Sequence, residues 1–386
     1  KSGDKITWLS VNEAFSKDEI SNEFKSVLGA YIENLSLCVK SGECAGANKC
    51  LKQISSYQRG TLGSLAPSET KIGLEVLYNQ MEIFKFLIYF YMILALASLA
   101  LGFYRLFFGR KFRFERALSL AFFTAFAVHA LNLALRAYIS GHAPWSDAYE
   151  SLVYISLISV LAGVLFFKHQ SFALGAASLF ASVSLLVAHL NFINPQITNL
   201  VPVLKSFWLS VHVSVITASY GFLGFGFVLG LVGLILMALK NDKNEQKLSE
   251  QIRYLAATDE LSLIIGLSLL TIGNFLGGVW ANESWGRYWG WDSKESWSYI
   301  TIIVYAIVLH LRFIPKLRGV FAFLTASVLS FASVLFTYFG VNFYLSGLHS
   351  YANGESFGVS GLIYLILAAL ALLIALAYRG RDIKVV

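Results

Sequence analysis

Charged residues and prolines are both scarce in this sequence. Only 14% of its 386 residues are Asp, Glu, Lys or Arg, and 56% are hydrophobic, whereas a soluble domain has about a quarter of charged residues. Its five prolines suit spanning helices, which must satisfy their backbone groups internally. The apolar residues also form long blocks with few charges, which is typical of membrane spans. The composition therefore excludes an ordinary soluble protein and predicts an integral membrane protein.

Cysteine is also rare. The three cysteines, Cys38, Cys44 and Cys50, all lie in the polar N-terminal stretch. None belongs to a C-x-x-C or C-x-x-C-H pattern, so the chain is not itself a c-type cytochrome. We expect a disulfide among them on an oxidising side of the membrane, with one thiol left over. A start methionine and a signal-like apolar segment are also missing at the front. We therefore expect the chain to begin inside a longer polypeptide.

The hydropathy pattern predicts an all-α, polytopic bundle of about nine spans behind a small N-terminal region. Residues 1–80 are polar, and an apolar series at helical spacing within them predicts an amphipathic helix. That series is Ile20, Phe24, Val27, Leu28, Tyr31 and Leu35. The predicted spans are 84–104, 117–139, 148–167, 171–190, 208–239, 259–280, 298–314, 319–341 and 359–378.

The formal charge of +7 does not indicate a nucleic-acid partner, because the basic residues lie in short clusters between the spans. One set of alternate connections, including the C-terminus, carries sixteen Lys and Arg; the other set carries only Lys205, Arg287 and Lys294. The positive-inside rule then places the C-terminus in the cytoplasm. Residues 1–80 and the connections 140–147, 191–207, 281–297 and 342–358 are predicted to lie outside.

One outward connection, 280–297, has the sequence WANESWGRYWGWDSKESW and holds five of the eight tryptophans. If this segment is helical, Trp285 and Trp289 lie on one face, with Asp292 close to it. Such a flat, polarizable surface suits the face of a conjugated ring. An aromatic plug at the membrane interface would have the same composition.

Two histidines favour the first of these interpretations, a surface for a conjugated ring. His212 and His349 both flank the tryptophan segment on the predicted outward side, although they are far apart in sequence. Haem iron takes two axial donors from opposite faces of the ring, and two separate helix ends can supply them. A single histidine at an interface is more often a polar anchor, so the pair favours a haem site without deciding it.

His310 lies in the apolar run 299–313, towards its cytoplasmic end. An ionisable residue inside a span indicates a functional role by default, here a second haem site, with an interhelical hydrogen bond as the alternative. His129 is the other intramembrane histidine and a candidate partner. His142, His169 and His189 are interpreted as interface residues.

The segment Trp285-Gly286-Arg287-Tyr288-Trp289-Gly290-Trp291-Asp292 matches the WGxxWxWD signature, or WWD motif, of the haem-handling protein superfamily. With the flanking histidines, the chain resembles the Ccs-type (System II) cytochrome c synthases. The resemblance implies that 113–386 is a CcsA-like domain, that 1–80 is a CcsB-like tail, and that 81–112 is the last CcsB-like span with its cytoplasmic loop. The chain would then be the C-terminal portion of a fused CcsB–CcsA protein.

The resemblance also implies the site residues. His212 and His349 would ligate the iron of an external haem b, with Trp285, Gly286, Trp289, Trp291 and Asp292 as its platform. His310 would ligate haem at an inner site, whose family partner lies on a helix of the CcsB portion that this sequence does not contain. Arg287 and Lys294 could pair with the haem propionates, although solvated loop charges are the simpler interpretation.

The implied function is haem transport to the outside of a bacterial inner membrane and covalent attachment to the C-x-x-C-H motif of apocytochrome c. This holocytochrome c synthase would work with the remaining CcsB portion, thiol-reducing proteins and membrane lipid, and with no nucleic acid. Three alternatives remain open: a bis-histidine electron carrier of the quinol-oxidising cytochrome b type, a haem exporter without synthase activity, and a polytopic transporter or scaffold without haem.

Overall fold

The computed structural model describes residues 10–16, 20–63, 66–109, 115–166, 171–190, 193–198, 200, 205–345, 347 and 361–382. These residues form two compact units, Lys1–Leu77 and Tyr78–Val386, with the boundary inside helix α4, Glu69–Met81. His349 and His169 lie outside the described residues.

The first unit contains α1 (Val11–Ser16), α2 (Asn22–Ser41) and α3 (Ala45–Leu62). The side chain of Ser21 accepts the Phe24 N–H at the start of α2, and Gly42 ends the helix at a φ of 78°, a conformation that glycine adopts without steric cost. A disulfide between Cys38 and Cys44 links the end of α2 to the start of α3. Cys50 is buried and reduced. The disulfide predicted among the three cysteines is therefore confirmed.

The second unit is a bundle of long apolar helices. Nine stretches of the described chain are long and apolar enough to cross a bilayer, which confirms the predicted all-α polytopic class. Its helices are α5 (Ile83–Phe108), α6 (Glu115–Ser140), α7 (Ala148–Leu165), α8 (Ser171–Ala188), α9 (Phe207–Ala238), α10 (Glu245–Trp285), α11 (Ser293–His310), α12 (Val320–Leu335), α13 (Val341–Tyr344) and α14 (Gly361–Ala377).

Helix α10 is much longer than the span predicted over 259–280. It has 41 residues, which at 1.5 Å per residue is about 60 Å, twice the thickness of the hydrocarbon core. Its first turns therefore include Lys247 and Arg253, which the charge pattern had placed in a cytoplasmic loop. The prediction of a loop there was wrong because Glu, Gln and Lys extend a helix readily in water.

Glycines let the central helices approach one another closely. A Cβ at Gly221 of α9 would lie 2.7 Å from Ile158 of α7, and a Cβ at Gly266 of α10 would lie 2.6 Å from Leu223 of α9. Small residues at such crossings are the usual means of packing helices inside a bilayer, where burial from water supplies no driving force. These contacts fix α9 against both α7 and α10.

A buried ion pair joins α6 to α7. The Arg136 Nε donates to Glu150 Oε1 at 2.9 Å, and both side chains are inaccessible to solvent. The guanidinium also donates to the Pro195 carbonyl at 2.9 Å and to the Tyr78 hydroxyl at 3.3 Å. Glu150 accepts the Ser146 N–H through its other oxygen at 3.0 Å. This network anchors the connection that precedes α7.

We expect Arg136→Leu to lower the melting temperature of the detergent-purified protein strongly. Removal of one partner from a buried pair costs about 3–5 kcal/mol, because the other charge remains buried. The double variant Arg136→Leu/Glu150→Leu should recover part of the loss. Arg116→Leu, at an exposed position on the same helix, is the matched control. Equal melting temperatures for Arg136→Leu and Arg116→Leu would contradict this account.

Candidate functional site

A cavity of about 430 Å³ opens where α10 ends and where α7 and α11 begin. The charge pattern predicts that this end faces outward. The cavity is lined by Trp145, Ser146, Asp147, Ala148, Ser151, Leu209, Ser210, His212, Val213, Ile216, Thr217, Tyr220, Asn274, Gly277, Gly278, Trp280, Tyr288, Trp289, Lys294, Glu295, Ser298, Thr337, Tyr338 and Asn342.

His212 is held against the backbone of α10. Its Nδ1 lies 2.8 Å from the Gly273 carbonyl oxygen. Because a carbonyl only accepts hydrogen bonds, Nδ1 carries the proton, and the lone pair of a neutral ring is on Nε2. The imidazole also packs against Gly277. A Cβ at position 277 would lie 2.6 Å from the Cε1 atom of His212. A backbone carbonyl that fixes the tautomer and orientation is a common support for a metal-ligating histidine.

The tryptophan segment does not form the continuous helix that would align Trp285 with Trp289. Helix α10 ends at Trp285, and Gly286 follows at a φ of 70°. The condition for a shared helical face is therefore not met, because this glycine turns the chain. Trp289 lines the cavity, whereas Trp291 is 70% exposed and packs edge-on against Trp289 with ring centroids 5.7 Å apart.

Trp280, five residues before the end of α10, lines the cavity, although it was not among the site residues predicted from the sequence. It is fully buried and lies nearly parallel to His212, with ring centroids 6.4 Å apart and an interplanar angle of 10°. Trp285 packs edge-on against Trp280 at 4.8 Å. Trp285 thus supports the cavity wall, and Trp280 and Trp289 form part of it.

Asp292 shapes the turn between α10 and α11. Its side chain accepts the Glu295 N–H at 2.9 Å, while the Glu295 carboxylate accepts the Asp292 and Gly290 N–H groups. This capping box starts α11. Gly347 approaches Asp292 so closely that a Cβ would lie 3.0 Å from Oδ2. The carboxylate of the motif therefore has a structural role at the edge of the cavity.

Lys294 is part of the cavity wall and not a solvated loop charge. Its Nζ donates to Asn342 Oδ1 at 3.0 Å and lies 5.8 Å from the centre of the Tyr338 ring. The simpler interpretation from the sequence was therefore wrong for Lys294. Arg287 packs its guanidinium against Gly290 and is not among the cavity-lining residues.

Asp147 supplies a carboxyl group to the same cavity. It caps α7 by accepting the Glu150 N–H at 2.7 Å. Burial raises the pKa of this carboxyl to about 6, and the negative charge of Glu150 acts in the same direction. Its charge therefore changes close to neutral pH.

A π-helical turn, Phe336–Gly340, follows α12 and supplies Thr337 and Tyr338 to the cavity. The Tyr338 hydroxyl lies 2.6 Å from the Ser151 hydroxyl of α7. π-Helical turns inside longer helices are often found at functional sites. Sequence reasoning missed both residues because the inserted residue has no distinctive hydropathy pattern.

The other histidines within the described residues are His129, His142, His189 and His310, and none of them lines the cavity. His310 is exposed at the end of α11, and its Nδ1 donates to the Ala306 carbonyl at 2.7 Å. His129 is fully buried, with hydrogen-bond partners in Tyr91 at 3.3 Å and the Val153 carbonyl at 3.2 Å. Such a satisfied histidine joins α5, α6 and α7, which favours a structural role for His129.

Two comparisons place the chain among known proteins. The sequence profile of the family described as "Cytochrome C assembly protein" matches residues 145–349, which is more than half of the chain. The CcsA cytochrome c biogenesis protein of Prochlorococcus marinus is 35% identical over 260 residues, 82% of its own length and 60% of this chain.

The chain belongs to the cytochrome c assembly protein family. The chain is also similar to protein NrfI of Wolinella succinogenes, with 52% identity over 309 residues. That match covers 80% of this chain but 34% of NrfI, so the chain spans about a third of that relative. A solved structure described as cytochrome c haem lyase CcmF aligns with 77% of this chain and 50% of its own, with a TM-score of 0.48 and 17% identity.

The raised pKa of Asp147 leads us to expect that this residue makes the stability of the folded protein depend on pH. A folded-state pKa of about 6, above the ordinary 3.8, means that the folded protein binds this proton more tightly than the unfolded chain. Asp147 therefore destabilises the folded state once it is ionised, above about pH 6. We expect Asp147→Asn, which can still cap α7, to melt at a higher temperature than the unmodified protein at pH 8.

This difference in melting temperature should shrink as the pH falls from 6 to 4. Asp242→Asn, at an exposed position between α9 and α10, controls for general effects of charge. A difference that does not depend on pH would mean that Asp147 keeps an ordinary pKa.

Proposed function

We propose that this chain binds haem b in the outward cavity and presents it for covalent attachment to apocytochrome c. The observation that carries the proposal is the position of His212, whose Nδ1 donates to a backbone carbonyl and whose ring lines the cavity. A neutral imidazole held in this way is a suitable axial ligand for haem iron. A volume of about 430 Å³ is within the ordinary range for ligand cavities.

The wall of the cavity suits a porphyrin. Trp280 and Trp289 offer aromatic surface beside His212, which favours a flat conjugated ligand. The Trp289 Nε1–H is buried and has no hydrogen-bond partner among the described residues, so a bound ligand could accept from it. Lys294 supplies a cation that could pair with a haem propionate.

His349 is proposed as the second axial ligand, on the basis of the family resemblance. The described chain reaches Gly347, beside Asp292 of the tryptophan segment, two residues before His349 in the sequence. A ligand from this connection would come from a different part of the chain than His212 of α9. Two such ligands can bind the iron from opposite faces of the haem, as a bis-histidine arrangement requires.

An inner haem site at His310 is part of the proposal. The exposed position of this residue at the end of α11 leaves its ring accessible to another polypeptide, which could supply the second ligand. The remaining CcsB portion is the proposed source of that ligand. Haem would pass from this site, on the cytoplasmic side of the bacterial inner membrane, to the outward cavity.

The attachment step needs little chemistry from the chain itself. Each thiol of a reduced C-x-x-C-H motif adds across one haem vinyl group: sulfur bonds to one vinyl carbon and the thiol hydrogen goes to the other. No oxidant is consumed, so the proposed partners include proteins that keep these thiols reduced. The chain contributes orientation and effective concentration. The holocytochrome c synthase activity proposed here follows from holding the vinyl groups where the substrate can reach them.

We expect His212→Gly to reduce the haem that copurifies with the protein by at least about tenfold, because an axial ligand is lost. Added imidazole should restore part of the Soret absorbance by replacing the missing ring. His189→Gln is the control, since His189 is bonded to Tyr149 and Leu185 outside the cavity lining. Unchanged haem content in His212→Gly would remove the basis of the ligand assignment.

We also expect Lys294→Met to weaken haem binding by about tenfold, the effect of losing one charge-assisted hydrogen bond. Lys205→Met changes an exposed lysine at the same end of the bundle and should bind haem normally. Titration of the haem-free proteins with haem, followed by absorbance, measures both. If the two variants bind equally, Lys294 does not contact the propionates.

The electron-carrier alternative makes a different prediction for transfer. A reduced peptide containing C-x-x-C-H, incubated with the haem-loaded chain and its CcsB portion, should acquire covalently bound haem. Such haem stays with the peptide in a denaturing gel. An electron carrier, or an exporter without synthase activity, would leave the peptide unmodified under the same conditions.

A further inference from the structure

A carboxyl group is buried inside the bundle, away from the haem cavity described above. Asp259 of α10 is fully inaccessible to solvent, and neither of its carboxyl oxygens has a hydrogen-bond partner among the described residues. Two glycines of α9 make room for it: a Cβ at Gly226 would lie 2.6 Å from Oδ1, and one at Gly230 would lie 3.6 Å from Oδ2. The backbone of α9 is therefore shaped around this side chain.

Two further polar groups converge on the same place. The Tyr305 hydroxyl of α11 and the Ser327 hydroxyl of α12 are both buried beside it. They interact with Asp259 from α11 and α12, and Gly226 and Gly230 of α9 lie against it. A cation is absent from this set, so an ionised Asp259 would be an uncompensated charge inside the membrane.

Hydroxyl side chains also lie along the part of α11 between Tyr305 and the cavity. Along α11, Ser298, Thr301 and Tyr305 recur on its buried face at spacings of three and four residues. Thr301 Oγ1 lies 2.9 Å from Thr337 Oγ1 after α12, and the Ser298 hydroxyl donates to Asn274 Oδ1 at 2.7 Å. Ser298, Thr337 and Asn274 all line the cavity.

We refer to these groups as the hydroxyl seam. It consists of the buried hydroxyl residues of α11, α12 and the π-helical turn after α12, which are Ser298, Thr301, Tyr305, Ser327, Ser330 and Thr337.

We propose that Asp259 is a proton-binding site and that the hydroxyl seam carries protons between it and the outward cavity. Hydroxyl groups both donate and accept hydrogen bonds, so each can pass on a proton as it receives another. Loading leaves Asp259 as a neutral carboxylic acid, and release leaves a carboxylate; no other bond changes. The glycines of α9 and the neighbouring hydroxyls provide a place, without a cation among these groups, where the acid can be kept neutral.

The use of this proton rests on the proposed haem function. A charged or redox-active ligand in the cavity would change the local charge as it arrives, is reduced or leaves. Movement of a proton along the seam would compensate that change. The proton site itself needs no haem, so its test can succeed or fail independently of haem binding.

Infrared spectroscopy of the full chain in nanodiscs tests the site directly. A protonated, buried Asp259 gives a carbonyl stretch characteristic of a carboxylic acid at pH 7, which should shift in protein labelled with ¹³C-aspartate. The band should be missing in Asp259→Asn and present with or without haem. If the unmodified, labelled protein shows no carboxylic acid band, or if Asp259→Asn keeps it, the proton site is refuted. A carboxylate whose spectrum responds to Na⁺ or K⁺ instead would identify a cation site and also refute it.

A second variant tests the seam and leaves Asp259 in place. Thr301→Val removes the hydroxyl that contacts Thr337 and preserves side-chain shape. We expect the carboxylic acid band to shift at least about tenfold more slowly after transfer to D₂O than in the unmodified protein. Thr271→Val is the control, because the Thr271 hydroxyl bonds only within α10, to the Leu267 carbonyl at 2.8 Å. Equal exchange in both variants would rule out the seam as the path.

Discussion

The close approach of α9 to α10 is the constraint on which the candidate site depends. The His212 ring lies directly on Gly277, and its Nδ1 bonds to the carbonyl of Gly273 one turn earlier. Any larger residue at 277 would occupy the space of the imidazole. The same helix carries Trp280 and ends in the tryptophan segment, so the position of the histidine and the position of the aromatic wall are set by one backbone. In a bilayer, such van der Waals contact must stabilise the association of helices, because burial of apolar surface from water does not contribute there.

The span pattern was predictable because a membrane allows few solutions for the backbone. Nine apolar blocks predicted nine spans, and the tryptophan segment indicated where the cavity lies. The course of that segment was not predictable, since a glycine after Trp285 could either continue the helix or end it. The contributions of Lys294 and Tyr338 depend on helices far apart in sequence. Arg136 and Asp259 were hidden inside segments whose mean hydropathy is dominated by their neighbours.

Buried charged side chains occur in two arrangements in the described part of the chain, a paired one and an unpaired one. Arg136 and Glu150 neutralise each other and hold the connection before α7 in place. Asp259 forms no ion pair with any described residue, and the Ser327 and Tyr305 hydroxyls lie close to it. The first arrangement stabilises the end of the bundle at which the cavity opens. The second is suited to a group that gains and loses a proton. Asp147, which lies 3.8 Å from Arg136, lines the cavity, and so does Ser298 of α11.

The central claim is that His212 binds haem iron in the cavity beside Trp289. The most direct measurement is a cryo-electron microscopy map of the chain purified with the proposed CcsB partner and loaded with haem. Our account predicts porphyrin density in the cavity, with the iron bonded to Nε2 of His212 and the ring edge against Trp289. Haem density elsewhere, with the cavity filled by side chains or lipid, would contradict it.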